Sequence, residues 1–404
     1  MPKMSEEPLH VFQQTLNTSL DTENNTSAKL ARASRMWTDL QHPRWRDLDP
    51  TPTWQHCIIG VYMLLLAAIA VTGNVIVVWA CVRNVVMHSL FLDSCRFRSL
   101  RTSSNLLVVN LAVGDLLMCA VDFPLFVAAS FLQGWPFGKT ICQAYGFLTA
   151  AAGLVTINTL AVISFDRYRS VSRRLNPCHS RPTRATLGAA VSVWLYSIPW
   201  ALAPALGWGQ YVLDGIGTTC TFDFFTRTVN NVSFVMSVTV GNFALPLLVI
   251  LFSYSGIWLV VRGTRVTLKS QGDVTVSLGT RRQRLGFQSD LRTAVIILII
   301  LSTFLVSWLP YLVVCFLGLF GQESLVTAQV SATASLVAKT STALNPVLYS
   351  ISHPKVRRKV RLMLGTFLPT KLMERRPTRS SSLSNGGLSG RNGYTKHGGG
   401  NSKL

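Results

Sequence analysis

Seven long apolar runs dominate this sequence and restrict what the chain can fold into. Each run is long enough for a helix that crosses a lipid bilayer, which takes about 20 residues. Within a bilayer a helix satisfies its own backbone hydrogen bonds, so the runs predict an all-α membrane protein, a bundle of seven transmembrane helices. The runs lie at about residues 57–82, 105–131, 141–165, 185–206, 234–261, 293–320 and 325–351.

The basic residues follow a pattern that orients this bundle. The net charge is +21, and 29 of the 38 Lys and Arg residues fall in segments 83–101, 167–184, 262–292 and 353–404. These segments are alternate connections plus the C-terminal tail, so the positive-inside rule places them in the cytoplasm and the N-terminus outside. The basic charge is therefore expected to face the lipid bilayer and the cytosol, and no nucleic-acid partner is predicted.

Three segments are predicted from this layout. Residues 1–53 are expected to be a disordered extracellular tail, 54–365 the seven-helix domain, and 366–404 a disordered cytoplasmic tail rich in Ser, Gly and Arg. The first inner connection, 84–102, is long for such a bundle, and it fits a short interfacial helix, an insertion or an error in the sequence. Three Asn-X-Ser/Thr sequons in the first tail are predicted glycosylation sites: Asn17, Asn24 and Asn25.

A single lysine, Lys339, lies near the middle of the seventh run. A charge at that depth costs roughly 2.5–3.5 kcal/mol on insertion scales, so it is expected to have a function. Desolvation favours the neutral, nucleophilic amine, which is a good Schiff-base former. The alternatives are a lysine that lines a polar cavity or one that snorkels to a helix end. Snorkelling is disfavoured, because about ten residues of helix, or about 15 Å, separate Lys339 from Tyr349.

Two further motifs lie near the inner ends of runs three and seven. The third run ends in Asp-Arg-Tyr at 166–168, where an acid beside an arginine can hold an ion pair that breaks when helices move. Asp290, at the start of the sixth run, is a second candidate partner for that arginine. The seventh run contains Asn-Pro-Val-Leu-Tyr at 345–349, whose proline interrupts helical hydrogen bonding.

Taken together, these features resemble the rhodopsin-like G-protein-coupled receptors over about residues 57–365, and within them the opsins. One part of the resemblance is the position of Lys339, six residues before Asn345. The other part is three stretches: LRTSSNLLVVNLAVGDLLM at 100–118, GWGQYVLDGIGTTCTFDFF at 207–225 and SWLPY at 307–311.

The resemblance implies a light-sensing receptor in the plasma membrane or in photoreceptor membranes. Retinal, in its 11-cis form in the dark, would be bound to Lys339 as a Schiff base, with Trp308 and Tyr311 beside the polyene. A disulfide between Cys142 and Cys220 would tie the second outer loop over the bundle.

A buried Schiff-base cation needs an anion near it. In vertebrate visual opsins a Glu lies three residues after the outer cysteine of the third helix, but that position here is Tyr145, which is neutral. The other family position is an acid six residues before the cysteine of the second loop, and here that is Asp214, six before Cys220. By this resemblance Asp214 is the predicted counterion and Tyr145 a hydrogen-bonding neighbour; the alternative for Asp214 is an exposed acid in a turn.

Features at the inner face resemble the invertebrate rhabdomeric opsins that couple to Gq. His-Pro-Lys at 353–355 is one of them, and it implies a Gq-class G protein as partner, with arrestin and a receptor kinase. A short amphipathic eighth helix is expected at about 354–364. The predicted switch residues for the G protein are Asp166, Arg167, Tyr168, Asp290, Asn345, Pro346, Tyr349, His353 and Lys355.

Two other functions use the same features. One is a retinal photoisomerase that does not signal, and the other is a receptor for a diffusible ligand in which Lys339 is a cavity charge. An intact Asp-Arg-Tyr favours signalling, and the pairing of Lys339 with Asp214 favours retinal. No nucleotide loop, catalytic triad or metal-ligand pattern is present in the sequence, so no enzyme activity and no metal site are predicted.

Overall fold

Seven long helices make up most of the structure, a computed structural model that describes residues 40–46, 49–91, 103–173, 183–270 and 281–352. All of these residues fall in one compact unit, Met1–Val360. The helices are α1 (Thr53–Phe91), α2 (Ser103–Phe131), α3 (Gly138–Arg173), α4 (Thr183–Leu202), α5 (Val229–Ser270, in two α-helical parts), α6 (Arg281–Leu319) and α7 (Ala328–Ser352).

The helices confirm the predicted all-α membrane bundle. In the described part of the chain, α1 to α6 are long and apolar enough to cross a bilayer. Helix α7 is less apolar because Ser, Thr and Asn residues accompany Lys339 along it. The predicted eighth helix at 354–364 lies outside the described residues, as do His353, Lys355 and the three glycosylation sequons.

Two helices differ from a simple α-helical span: α1 is longer than its apolar run, and α5 contains a π-helical turn. Helix α1 continues to Phe91, so the first part of the connection predicted at 84–102 is a helical extension of the first span. In α5 a π-helical turn, Val240–Ala244, separates the α-helical parts Val229–Thr239 and Leu245–Ser270.

Helix α3 lies at the centre of the bundle and contacts α2, α4, α5 and α6. Large buried side chains such as Leu160, Ile163 and Ile300 form the core around it. Large apolar side chains also cover the outer surface, for example Leu251 and Val306, which are exposed. Exposed apolar surface of this extent suits contact with lipid rather than water.

A short β-hairpin covers one end of the bundle. Strand β1 (Tyr211–Leu213) pairs antiparallel with β2 (Cys220–Phe222). The Cys142–Cys220 disulfide ties β2 to the start of α3, as the resemblance implied. We call this the disulfide end of the bundle; Asp166 and Arg167 lie near the other end of α3, the opposite end.

Residues 40–46 form a second layer at the disulfide end. Gln41 makes a parallel β-bridge with Leu213, and Trp45 is buried against Phe225 in an edge-to-face contact at 5.1 Å. Glu323 accepts hydrogen bonds from Arg44 and Arg227, which joins this layer to the connection between α6 and α7. Part of the tail predicted at 1–53 is therefore packed on the bundle.

Candidate functional site

Lys339 is buried inside the bundle and is paired with an acid. Its Nζ donates a hydrogen bond to Asp122 Oδ1 at 2.6 Å, and the two side chains are 7% and 0% exposed. Asp122 comes from α2 and Lys339 from α7, 217 positions apart in the chain. The ring centroids of Phe126 and Tyr145 each lie 5.7 Å from Nζ.

Tyr145 extends this pair toward the hairpin. Its hydroxyl donates to Asp122 Oδ1, so Tyr145 is a hydrogen-bonding neighbour of the acid that Lys339 contacts. The same hydroxyl lies 2.6 Å from Thr219 Oγ1. Since its one hydrogen is used on Asp122, Tyr145 accepts from Thr219. The result is a line of polar groups from Lys339 through Asp122 and Tyr145 to Thr219.

Asp214 lies at the turn of the hairpin and is buried. The alternative that it is an exposed acid in a turn is therefore wrong. Its Oδ1 accepts from the backbone N–H groups of Thr218, at 3.0 Å, and Thr219, at 3.4 Å. Burial raises the pKa of Asp214 from 3.8 to about 6, while those N–H groups and the charge of Lys339 act in the opposite direction. Asp214 thus lies near Lys339, but its role as counterion stays a prediction.

Two adjoining cavities lie inside the bundle, and Lys339 lines one of them. The first, of about 70 Å³, is lined by Lys339 and by polar and apolar groups that include Met118, Gly146 and Thr221. The second, of about 120 Å³, is almost entirely apolar. The two share four lining residues, which are Ala150, Phe222, Trp308 and Tyr311. Among the described residues that line them, Lys339 is the one lysine.

Trp308 and Tyr311 of α6 stand between the two cavities. Trp308 stacks on Phe304 with ring centroids 5.6 Å apart, and its Nε1 donates to Ser341 Oγ of α7 at 3.3 Å. Tyr311 is hydrogen-bonded to Thr221 of β2. Both predicted aromatic residues therefore line the space next to Lys339, and each is tied to a different neighbouring element.

Gly146 is the position in the cavity wall where a side chain fits least. A Cβ there would lie 2.7 Å from Cγ and 2.8 Å from Cε1 of Tyr211. That ring cannot easily move, because its hydroxyl donates to Ala201 O at 2.7 Å and it stacks on Phe222 at 5.3 Å. We expect Gly146→Ala to lower the stability of the retinal-free protein by about 1–3 kcal/mol, the usual effect of overpacking.

The matched control for that change is Gly114→Ala in α2. A Cβ at Gly114 meets Val155 Cγ1 at 3.4 Å, an ordinary contact. Thermal unfolding of both variants should show a loss at Gly146 and a stability near wild type at Gly114. Equal stability of both variants would mean that Tyr211 and strand β1 can move to accommodate the added Cβ.

The raised pKa of Asp214 predicts a pH dependence of stability. Between its unfolded value near 3.8 and its folded value of about 6, the folded state binds the proton more tightly. The stability of the retinal-free protein should therefore rise as pH falls from 7 toward 4, by up to about 3 kcal/mol for this group. Thermal unfolding across that range should show the rise in wild type and a smaller one in Asp214→Asn; an identical profile in that variant would contradict the assignment.

The predicted switch residues lie toward the opposite end. Arg167 pairs with Asp166 of the same helix, and both are buried. Tyr168 packs edge-to-face on Phe252 of α5 at 5.6 Å. Asp290 is half-buried on α6. Helices α3, α5 and α6 pack together in this region. A switch that works by movement between helices requires such a contact.

Asn345 links α7 to α2 farther inside the bundle. Its Nδ2 donates to Asp115 Oδ2 at 3.1 Å. Pro346 follows it and lies against α1, where a Cβ on Gly73 would meet Pro346 Cβ at 2.8 Å. The side chain of Tyr349 lies outside the described ones.

Asp122 is not among the site residues predicted from the sequence, although the sequence carries a signal for it. It is an acid within an apolar run, seven residues after Asp115 and therefore about two helical turns along the same face. That spacing indicates a second acid that points into the bundle. Its partner is not indicated, because only the folded topology brings α2 beside Lys339.

Comparisons with known proteins agree with this arrangement. The family model described as 7 transmembrane receptor (rhodopsin family) matches residues 73–349. The chain is 36% identical to the Gq-coupled rhodopsin of Mizuhopecten yessoensis over 321 residues, which is 78% of this chain and 61% of that protein. It is 32% identical to the rhodopsin of Enteroctopus dofleini over 320 residues, 79% of this chain and 68% of that one.

The chain is also similar to a melanopsin and to a rhodopsin of known structure. The melanopsin of Phodopus sungorus is 32% identical over 386 residues, 94% of this chain and 79% of that protein. The crystal structure of squid rhodopsin superposes with a TM-score of 0.73 and 31% sequence identity, covering 81% of this chain and 90% of that one. The match thus includes the fold as well as the sequence.

Proposed function

From the premise that the chain belongs to the rhodopsin family of seven-transmembrane receptors, we propose that it is a photoreceptor opsin that carries retinal on Lys339 and activates a Gq-class G protein in light. The family consists of signalling receptors rather than enzymes. The chain spans 61% of the Gq-coupled rhodopsin of Mizuhopecten yessoensis. We infer the Gq class from the likeness to that protein and from the His-Pro-Lys motif at 353–355.

The observation that carries this proposal is a buried primary amine in a cavity that adjoins a second, apolar cavity. Lys339 lines the smaller cavity, and the larger one beyond Trp308 and Tyr311 is apolar, as the polyene of retinal requires. When bound, retinal supplies absorption of visible light and a change of shape on isomerisation. The protein supplies the nitrogen, the shaped cavity and the exclusion of water.

The second requirement is an anion for the positive charge at Lys339. At 4 Å and an effective dielectric constant near 20, two unit charges attract by about 4 kcal/mol, which offsets part of the cost of burying the cation. Two buried carboxylates stand close to Lys339, and they are Asp122 and Asp214. Asp214 is the family position, so we retain it as part of the counterion system.

The route to the opposite end of the bundle runs along α6. Trp308 and Tyr311 flank Pro310, whose ring interrupts the hydrogen bonding of that helix. Pressure on these aromatic residues would swing the far part of α6, where Asp290 lies, away from α3. The ion pair of Arg167 and Asp166 would then rearrange and open a surface for the G protein.

The orientation follows from the charge pattern. We place the disulfide end and the N-terminus outside the cell and the opposite end in the cytoplasm, where the basic connections lie. The membrane is then the plasma membrane or a photoreceptor membrane. Arrestin and a receptor kinase would act on the same cytoplasmic side, and His353 and Lys355 would contribute to the G-protein contact.

The test is reconstitution of the wild-type protein with 11-cis retinal. We expect a visible absorption band that light alters, and light-dependent nucleotide exchange on purified Gq that exceeds exchange on Gi. A pigment without exchange on either G protein would favour a photoisomerase. A well-folded protein that forms no pigment would overturn the retinal assignment and favour a receptor for a diffusible ligand.

A further inference from the structure

We propose that Asp122 is the direct anionic partner of the Lys339 nitrogen, both as the free amine and with retinal attached, and that Asp214 does not contact that nitrogen but acts on it through Thr219 and Tyr145 and through its charge at a distance. The retinal-bound part of this inference rests on the proposed function. It assigns the contact to an acid on α2 rather than to the acid of the hairpin.

The contact itself is short and enclosed. Lys339 Nζ lies 2.6 Å from Asp122 Oδ1, and the Asp122 side chain is fully buried. A buried carboxylate with no cation beside it would be strongly unfavourable, and the same holds for the ammonium group. Each group therefore depends on the other for its burial.

Attachment of retinal preserves one hydrogen for this contact. Taken overall from the ammonium group, Nζ and the aldehyde carbon form a C=N bond, and two of the three hydrogens on Nζ leave with the aldehyde oxygen as water. The third hydrogen and the positive charge stay on the nitrogen. The cavity and Asp122 are separate neighbours of Nζ, since Asp122 does not line either cavity. The carbon chain can occupy the cavity while the N–H stays on Asp122.

Asp214 is less suited to direct contact. Its Oδ1 already accepts from the backbone of Thr218 and Thr219, which anchors the carboxylate to the hairpin turn. The hydroxyl of Thr219 is the one bonded to Tyr145, and Tyr145 donates to Asp122. A change at Asp214 therefore reaches Asp122 through two side chains, and its effect should be smaller.

The titratable groups around the nitrogen come from five elements. Helix α2 supplies Asp122 and, near it, Asp115 and Cys119; α3 supplies Tyr145; the hairpin supplies Asp214 and Tyr211; α6 supplies Tyr311; and α7 supplies Lys339 itself. Of these groups, Asp122 accepts a hydrogen bond from Nζ at 2.6 Å. Replacing it should thus change the charge at the nitrogen more than replacing any other.

The experiment compares Asp122→Asn with Asp214→Asn in the full-length protein reconstituted with 11-cis retinal. In Asp122→Asn, the pH at which the visible band gives way to a near-ultraviolet band should fall by at least about two units, a hundredfold change in proton affinity. In Asp214→Asn it should fall by less than about one unit. The reverse order, or a wild-type midpoint in Asp122→Asn, would overturn the proposal.

A second measurement needs no retinal. Thermal unfolding of the retinal-free protein should show that Asp122→Asn lowers the melting temperature, and that Lys339→Met on the same chain restores much of the loss because no charge is then left unpaired. Asp214→Asn should show a clearly weaker coupling to Lys339→Met, because Asp214 acts on Lys339 without direct contact. Additive effects of Asp122→Asn and Lys339→Met would overturn the pairing.

Asp122→Glu covers the case in which Asp122→Asn fails to fold. It keeps the charge but moves the carboxylate by one methylene, so a visible band should persist with a shifted maximum. An unshifted maximum and pH midpoint would overturn direct contact. If wild type itself forms no pigment, the proposed function fails, and the retinal-free comparison still decides whether Asp122 is the partner of Lys339.

Discussion

Lys339→Ala is expected to abolish pigment formation completely. Among the described residues that line the two cavities, Lys339 carries the one primary amine, so no other group there can form the covalent bond. The measurement is an absorption spectrum after incubation with 11-cis retinal, followed by acid denaturation to trap any adduct. Wild type should show a light-sensitive visible band and a trapped adduct, and the variant should show neither.

Lys139→Ala is the matched control for that experiment. Lys139 is exposed at the start of α3, so its loss removes an amine without touching the cavities. It should form pigment as wild type does. A trapped adduct in Lys339→Ala would show that retinal attaches elsewhere, and the function proposed for this site would fall.

Lys339→Ala should also affect the retinal-free protein. It leaves Asp122 buried without its cation, and breaking a buried pair from one side costs about 3–5 kcal/mol. Adding Asp122→Asn to the same chain should recover part of that loss. Folding of the double variant therefore shows that missing pigment reflects the missing amine rather than a collapsed protein.

Loss of the Cys142–Cys220 disulfide is expected to have the second largest effect. The bond closes a loop of 78 positions between α3 and β2. Chain-entropy arguments give roughly 4–5 kcal/mol for a loop of that length, comparable to the net stability of many domains. We expect Cys142→Ser, Cys220→Ser and the double variant to be mostly misfolded, with little pigment and a large fall in melting temperature.

Cys57→Ser is the control, because Cys57 is an exposed free cysteine on α1. It should resemble wild type in yield, melting temperature and pigment. Gel mobility with and without reductant should reveal the bond in wild type and its loss in the variants. Normal pigment in the double variant would show that the hairpin holds its position through Tyr211, Thr221 and residues 40–46 alone.

The number and type of helices could be predicted from the sequence, since run length alone distinguishes a membrane span. The ends of the helices could not. Helix α3 extends from Gly138 to Arg173, beyond the apolar run at 141–165, because polar residues at a membrane surface continue a helix as well as apolar ones. The same holds for α1, which continues to Phe91.

A site residue could be predicted from the sequence where its own position in a run or a motif marks it. Lys339 stands out by its depth, and the two cysteines and Asp214 by their spacing in a known motif. Asp122 pairs with Lys339 across 217 positions, and Gln41 meets Leu213 across the fold. Such contacts depend on which helices are neighbours, which no local pattern contains.

The π-helical turn rotates the second half of α5 against the first. A π turn holds about one residue more than an α turn, and one residue corresponds to about 100° around the helix axis. Asn242, within the turn, is thereby buried, where it accepts a hydrogen bond from Asn158 at 3.0 Å. A helical wheel drawn straight through α5 would therefore assign its lipid-facing and inward-facing residues wrongly on one side of Val240–Ala244. An ungapped alignment with a receptor that lacks this turn would make the same one-residue error.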